Sequence, residues 1–155
     1  MRATATAWAV VTKFDRRACA LADRHYPRQR PGASQFMPPG QTLVLVTEDG
    51  LAVWGVVLNL DPRGARRWRV SIFRNEGPRL SSELVREALE VTYREWARKY
   101  GELPPCALRT EVDPLKIKRK RDPGRCFRRA GWTSLGLHVR AKRRRGLFVL
   151  EAPAP

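Results

Sequence analysis

Cysteine is scarce in this chain. Its three residues, Cys19, Cys106 and Cys126, are far apart and odd in number. That argues against a disulfide framework and makes a reducing cytoplasm the expected setting. Histidine is scarcer still, with His25 and His138 alone, so no zinc-ligand spacing exists and no metal site is expected. No apolar run approaches the ~20 residues that a bilayer-spanning helix needs, so no membrane partner is expected. The short apolar patch near the N-terminus lacks the longer apolar region and small-residue cleavage site of a signal peptide. No repeat and no Ser/Gly linker divides the 155 residues, which read as one domain over 1–155. Acidic side chains are also few: 15 Asp and Glu stand against 31 Lys and Arg, a formal net charge of +16. A surplus of this size points to a polyanionic partner, nucleic acid first.

What is present supports a folded core. Hydrophobic residues are 43% of the chain and include five Trp. Residues 8–11 are β-prone. Asp15 can cap a helix running to about His25, with Ala18, Leu21 and Ala22 on one face. Residues 27–40, PRQRPGASQFMPPG, hold four prolines and two glycines and read as a long loop. Loops of this length in compact domains often carry function. Two strands at 42–47 and 51–58 flank Glu48-Asp49-Gly50, whose Asp-Gly step suits a tight hairpin. A basic turn at 61–67 leads to a strand at 68–73. Residues 81–100 are the clearest helix. Ser81 is the expected N-cap, and Leu84, Val85, Ala88, Leu89, Thr92 and Trp96 form one stripe. A strand at 106–112 is followed by a basic connector, a short helix at 123–130, and strands at 132–139 and 147–150 joined by 141–146. The order is β-α-β-β-β-α-β-α-β-β, a mixed α/β (α+β) single domain.

That order resembles the GNAT (Gcn5-related N-acetyltransferase) fold, with a Pro-rich loop where a second small helix usually stands. Asp122-Pro123-Gly124-Arg125-Cys126-Phe127-Arg128-Arg129-Ala130-Gly131-Trp132 resembles the GNAT segment in which a short helix runs into an aromatic after Gly. The topology covers nearly the whole chain and the motif about a dozen residues. The resemblance implies an acyl-type transferase using acyl-CoA or an aminoacyl donor. Backbone amides between the fourth strand and the long helix would hold a donor pyrophosphate. Here that turn is Arg74-Asn75-Glu76-Gly77-Pro78-Arg79-Leu80-Ser81. Gly77 alone fits the usual glycine pattern, Pro78 lacks an amide donor, and Glu76 is expected to repel phosphate. Arg74, Asn75 and Gly77 are the implied donor-binding residues. The phage Mom-like DNA-modification proteins, GNAT-like and without the standard CoA turn, fit this pattern better. Arg24-His25-Tyr26 before the loop is similar to a His-Tyr element of that group.

The residues themselves offer paired readings. His25 can move a proton near neutral pH and Tyr26 can donate one to a leaving group; alternatively His25 closes its helix and Tyr26 packs. Glu111 and Asp113 are two apart in a strand and share a face. Asp113, at the strand end, can accept a proton from an attacking amine, and Glu111 can bind substrate; the alternative is that both neutralise the connector after them. Ser34 and Gln35 could bond a base edge on which Phe36 stacks, or belong to an ordinary loop with one anchor. Trp132 reads as core.

Positive charge concentrates late in the chain. Between 116 and 145 there are thirteen Lys and Arg against one acid, Asp122. Lys116, Lys118, Arg119, Lys120 and Arg121 form one group, Arg140, Lys142, Arg143, Arg144 and Arg145 another, and Arg125 on the short helix between them is a further nucleic-acid-binding candidate. Read as two solvated connectors, they would hold phosphates without reading sequence. Three functions are therefore in view. The first is a GNAT-like transferase acting on an amino group of a nucleic-acid base, in DNA before RNA. The second is a CoA-dependent N-acetyltransferase on aminoacyl-tRNA, protein or a small amine. The third is a non-catalytic basic module that binds DNA or RNA.

Overall fold

The structure, a computed structural model, describes residues 6–25, 32–114, 123–140 and 143–155, apart from the side chains at 139–140 and 143–145. Seven strands form one mixed sheet, and three helices pack on it. The elements are β1 (Trp8–Val11), α1 (Arg16–Asp23), β2 (Gln41–Thr47), β3 (Ala52–Leu60), β4 (Arg66–Asn75), α2 (Ser81–Tyr100), β5 (Leu108–Val112), α3 (Arg125–Arg129), β6 (Thr133–Arg140) and β7 (Arg143–Glu151). The order across the sheet is β1-β2-β3-β4-β5-β7-β6. Every neighbouring pair is antiparallel except β4 with β5, which the crossover through α2 makes parallel.

Two apolar clusters lie on the two faces. One face packs Ala18, Leu21 and Ala22 of α1 and Met37 of the Pro-rich segment against Val44, Val46, Val53, Val57 and Ile72. The other packs the buried stripe of α2 against Trp8, Trp54, Trp68, Leu108, Phe127, Trp132 and Leu150. All six residues of the expected α2 stripe are buried. Two buried polar bonds tie that helix to the sheet, and a third within the helix holds one of their partners. Trp8 Nε1 donates to the Leu84 carbonyl (2.9 Å), Trp54 Nε1 donates to Thr92 Oγ1 (3.0 Å), and Thr92 Oγ1 donates to the Ala88 carbonyl (2.7 Å).

Local signals hold where they are steric. Asp15 caps α1, its Oδ1 accepting from the amides of Arg17 (3.0 Å) and Ala18 (3.1 Å). Gly50 takes φ +72° in the β2–β3 hairpin, as the Asp-Gly step requires. Gly55 serves close approach instead: a Cβ there would lie 2.6 Å from Met37 Sδ and 2.8 Å from Ile72 Cγ2. The bare backbone is what lets the Pro-rich segment lie on the sheet.

Three expectations need correction. Leu80, not Ser81, occupies the N-cap of α2, without a side-chain cap. Ser81 is the first helical residue, and its Oγ accepts from Asn75 Nδ2 (3.1 Å). β4 begins at Arg66, inside the span read as a basic turn, and Arg66 and Arg67 pair with Leu60 and Asn59. Arg143–Arg145 belong to β7 rather than to a connector, and Arg140 pairs with Arg143.

Candidate functional site at the β4–β5 edge

β4 and β5 pair only through Trp68–Leu108, Arg69–Arg109 and Val70–Thr110. β4 then runs on to Asn75 and β5 to Val112 with no further pairing between them, so the two strands part. Because they are parallel, both of their C-terminal ends lie on the same edge of the sheet. Open edges of this kind, beyond the carboxyl ends of parallel strands, are where α/β sheets commonly bind ligands.

A bulge decides what each end presents. Val70 and Ile72 pair with the adjacent residues Val56 and Gly55 of β3, leaving Ser71 as an extra residue. Trp68, Val70 and Phe73 therefore pack with the α2 cluster, whereas Ile72 joins the α1 cluster. Alternation then carries Arg74 to the α1 face and Asn75 to the α2 face. Ser71 Oγ lies 3.4 Å from both the Gly55 carbonyl and Met37 Sδ, which pins the bulge beneath the Pro-rich segment.

On the α1 face, Arg74 meets the end of α1 through Glu76. Glu76 accepts from Arg24 at Nε (2.7 Å) and Nη2 (3.0 Å) and from Arg74 Nε (2.5 Å). These charge-assisted bonds hold its carboxyl down at about 2. Glu76 was expected to repel a phosphate; its charge is instead matched by two guanidinium groups. Next to them, burial first and the Arg74 charge second push the half-buried His25 imidazole down to about 4. His25 is therefore neutral across the physiological range.

Both shifts predict the same acid sensitivity. Unfolded His25 binds a proton near 6.5 and folded His25 only near 4, so stability falls as pH drops between those values. Glu76 adds a second loss as pH falls from 4.5 toward 2. Urea unfolding at pH 7, 5.5 and 4.5 should give progressively lower midpoints. In His25→Gln the decline across that window should flatten; an unchanged slope would overturn the assignment to His25.

On the α2 face the turn after β4 closes on itself. The Glu76 amide donates to the Leu51 carbonyl (2.8 Å) and the Gly77 amide to Asn75 Oδ1 (2.9 Å). Asn75 Nδ2 donates to the Arg79 carbonyl (2.8 Å), and Pro78 has no amide hydrogen. Arg79 is held by Glu87 (2.7 Å) and Glu83 (3.5 Å). The adjoining cavity of about 230 Å³ is walled by Thr47, Glu48, Asp49, Asn75, Gly77 and Arg79, among others. Bonds from the Thr47 hydroxyl and then the Leu51 amide hold the Asp49 carboxyl below its usual range, so it is a standing negative charge there. With the Glu76 and Gly77 amides engaged, no amide on Pro78 and carboxylates on the cavity wall, this part of the turn offers little to a CoA pyrophosphate. Of the residues to which the resemblance gives a donor-binding role, Asn75 and Gly77 bond each other and Arg74 bonds Glu76.

At the end of β5, Asp113 is buried, with 8% of its surface exposed. Leu108 and Val112 pack with the α2 cluster, so Arg109 and Glu111 take the opposite face, and Asp113 is next in that alternation. Glu111 is half-buried and registers with Val149 of β7. Arg109 bonds Glu151 across the strands (3.1 Å).

The loop candidates are tied down. Gln35 Oε1 accepts from the Met37 amide (2.8 Å), the Ser34 carbonyl accepts from Cys19 Sγ (3.4 Å), and Phe36 packs against the α1 cluster. Phe36 is thus placed as an anchor. Trp132 is buried, edge-on to Phe127 at 5.0 Å. Arg125 is exposed on α3, which packs with the α2 cluster, so it does not share the face of His25. Tyr26, Lys116, Lys118, Arg119, Lys120, Arg121 and Lys142 lie outside the described residues, and Arg140, Arg143, Arg144 and Arg145 are described in backbone only.

Sequence reasoning missed the Arg24–Glu76–Arg74 cluster and the bulge at Ser71. The first joins residues 52 positions apart, and the second leaves no mark in a strand that alternates smoothly. Among the described residues no group of His, Cys, Asp and Glu has the arrangement of a metal site, and no helix is long and apolar enough to cross a membrane. Comparison of the chain with protein-family models, with curated proteins and with solved structures gives no match.

Proposed function

We propose that this protein is a GNAT-like transferase that modifies a nucleic acid at an amino group of a base, in DNA before RNA, in the manner of the Mom-like proteins it resembles. One observation carries the reading. β4 and β5 run parallel, pair over three positions and then part, with a bulge in β4 at the point of parting. The residues at the two strand ends, Arg74 with its neighbour His25 on one side and Asp113 on the other, border that opening. The net charge of +16 supplies the attraction for a polyanion.

In the proposed step a base amino nitrogen attacks the activated carbonyl carbon of an acyl or aminoacyl donor. A C–N bond forms as the bond from that carbon to its leaving group breaks. The proton lost by the nitrogen passes to the Asp113 carboxylate, and Tyr26 protonates the departing group. The neutral His25 orients the acceptor without adding charge. Holding the two reactants together supplies most of the acceleration, and proton transfer adds a smaller share. The closed turn at 75–79 speaks against a donor held through a CoA pyrophosphate, and so against the CoA-dependent N-acetyltransferase reading.

The test is nucleoside mass spectrometry. The protein is produced in bacteria, and plasmid DNA and tRNA from those cells are digested to nucleosides, with Asp113→Asn as control. A new mass in DNA, absent from the control, is the expected result, and its increment names the transferred group. A new mass in tRNA alone would move the substrate to RNA. No new mass in either pool, together with salt-sensitive binding of DNA, would favour the non-catalytic binding module.

A further inference from the structure

One aromatic ring is left in water. Among the described residues every Trp, Tyr and Phe is buried or half-buried except Phe14, which is 57% exposed. A single exposed apolar side chain is ordinary on a protein surface. Phe14 is set apart by how it is held and by what surrounds it. Its amide donates to Thr12 Oγ1 (3.3 Å), the Asp15 amide donates to the Thr12 carbonyl (3.1 Å), and Asp15 caps α1. The ring therefore projects from a turn that is fixed on both sides. Lys13 Nζ lies 5.5 Å from the ring centroid, and Arg16 and Arg17 follow in sequence.

The basic groups continue along α1. Its inward residues Ala18, Leu21 and Ala22 are buried, whereas Arg16, Arg17, Ala20 and Arg24 are exposed. Positions 17, 20 and 24 recur at helical spacing and share the outward face. Arg17 and Arg24 stand about 10 Å apart along the helix axis. The small Ala20 between them allows a partner to come close. At the far end Arg24 bonds Glu76, and Glu76 bonds Arg74 at the end of β4, so the line of positive charge runs from Phe14 to the β4–β5 edge. The carboxylates on this side are engaged. Asp15 accepts from the Arg17 and Ala18 amides, Asp23 from the Gly32 amide (3.0 Å), and Glu76 from two guanidinium groups.

We propose that the outer side of α1 is a track for single-stranded DNA: a base stacks on Phe14, neighbouring phosphates meet Arg16, Arg17 and Arg24, and the strand is led to the β4–β5 edge. This rests on the nucleic-acid reading above and narrows it to an unpaired strand. Aromatic rings beside a basic groove bind single strands because every base has a face to stack, whatever the sequence. In a duplex both faces of each internal base are covered by its neighbours, so an exposed phenyl ring gains no stacking there. The distance between Arg17 and Arg24 spans about three phosphates at ~3.4 Å each. A base must also leave its stack before an enzyme can act on it, and an unpaired strand has met most of that cost.

The experiment uses fluorescence anisotropy with the full chain and a labelled DNA strand of about 12 nucleotides, within the range of single-strand sites. The same strand annealed to its complement and an abasic strand of equal length are the comparisons. Wild-type protein is expected to bind the intact strand at least about fivefold more tightly than the abasic strand, which keeps the phosphates but has nothing to stack. Phe14→Ala should lose at least about fivefold on the intact strand, Phe14→Trp should keep the affinity, and neither should alter binding of the abasic strand or the duplex. Arg16→Ala combined with Arg17→Ala should lower the slope of log K against log salt on the intact strand by up to ~1.4, for two lost phosphate contacts. Equal wild-type binding of the intact and abasic strands, wild-type affinity in Phe14→Ala, the same loss on the duplex, or an unchanged salt slope would each overturn the track while leaving nucleic-acid binding intact. The comparison of intact with abasic strand needs only the wild-type chain, so it stands even where a variant folds poorly. Absence of binding to all three DNAs at low salt would overturn both the track and the nucleic-acid reading.

Discussion

Replacing Asp113 with Asn is expected to remove the modified nucleoside from DNA while leaving DNA binding and the melting curve close to wild type. Asn keeps the size of the side chain and its capacity to hydrogen-bond, but it cannot take a proton as a carboxylate does. A positioned general base contributes about 10²–10⁴-fold to rate, so yield in a fixed growth period should fall below detection. The position favours a defined role: Asp113 is 8% exposed, at the end of the strand whose parting from β4 opens the edge. It follows Glu111 in the alternation but is more deeply buried. Wild-type levels of modified nucleoside in Asp113→Asn would remove Asp113 from the chemistry. Loss of folding and binding together would make it a structural residue. Salt-dependent binding, measured on the same preparation, separates these results, because phosphate contacts do not depend on the reacting group.

The largest expected loss of stability follows from Trp54→Ala. Trp54 has no exposed surface and lies in β3 at the centre of the α2 face. Its ring is within 5.8 Å of Phe73, 6.2 Å of Phe127 and 6.3 Å of Trp132, and its Nε1 bonds Thr92. Truncation leaves a large cavity between sheet and helix and unpairs the Thr92 hydroxyl from one partner. Changes of this type cost about 3–5 kcal/mol. For a domain of this size each kcal/mol lowers Tm by roughly 2–4 °C, so thermal unfolding should begin at least about 6 °C lower. A shift under about 2 °C would mean that the aromatic cluster does not form the centre of the core.

The order of elements was legible because it depends on local rules. The Asp15 cap, the Asp-Gly hairpin and the α2 stripe each depend on residues within a few positions of one another. Each appears in the structure where the pattern put it. The basic run at 140–145 misled for an equally physical reason. A dense run of like charge must be solvated, and solvated runs are usually loops. A strand can carry solvated charge as well as a loop can, and the pairing of Arg143 with Arg140 decides between them. The Ser81 cap failed because the helix starts at Ser81 itself, one residue earlier than a Ser81 cap requires, which leaves Leu80 at the cap position. The Ser81 hydroxyl is instead taken up by Asn75 from the preceding strand.

The candidate site divides along the same line. His25, Arg74 and Asp113 stood out by residue type and by position at element ends. Glu76, read alone, looked like a charge that repels phosphate; next to Arg24 and Arg74 it is the acid that holds two guanidinium groups beside His25. By itself the sequence determined the charge, the succession of strands and helices, and which helix faces are apolar, because periodicity and capping act over a few residues. Only the tertiary structure decided that β4 and β5 lie side by side, that they part after three pairs, and that a bulge at Ser71 sends Arg74 and Asn75 to opposite faces. The first two depend on pairing between strands 40 residues apart (Trp68 with Leu108) and the third on the register of β3 against β4, and no local preference encodes the partner or register of a strand.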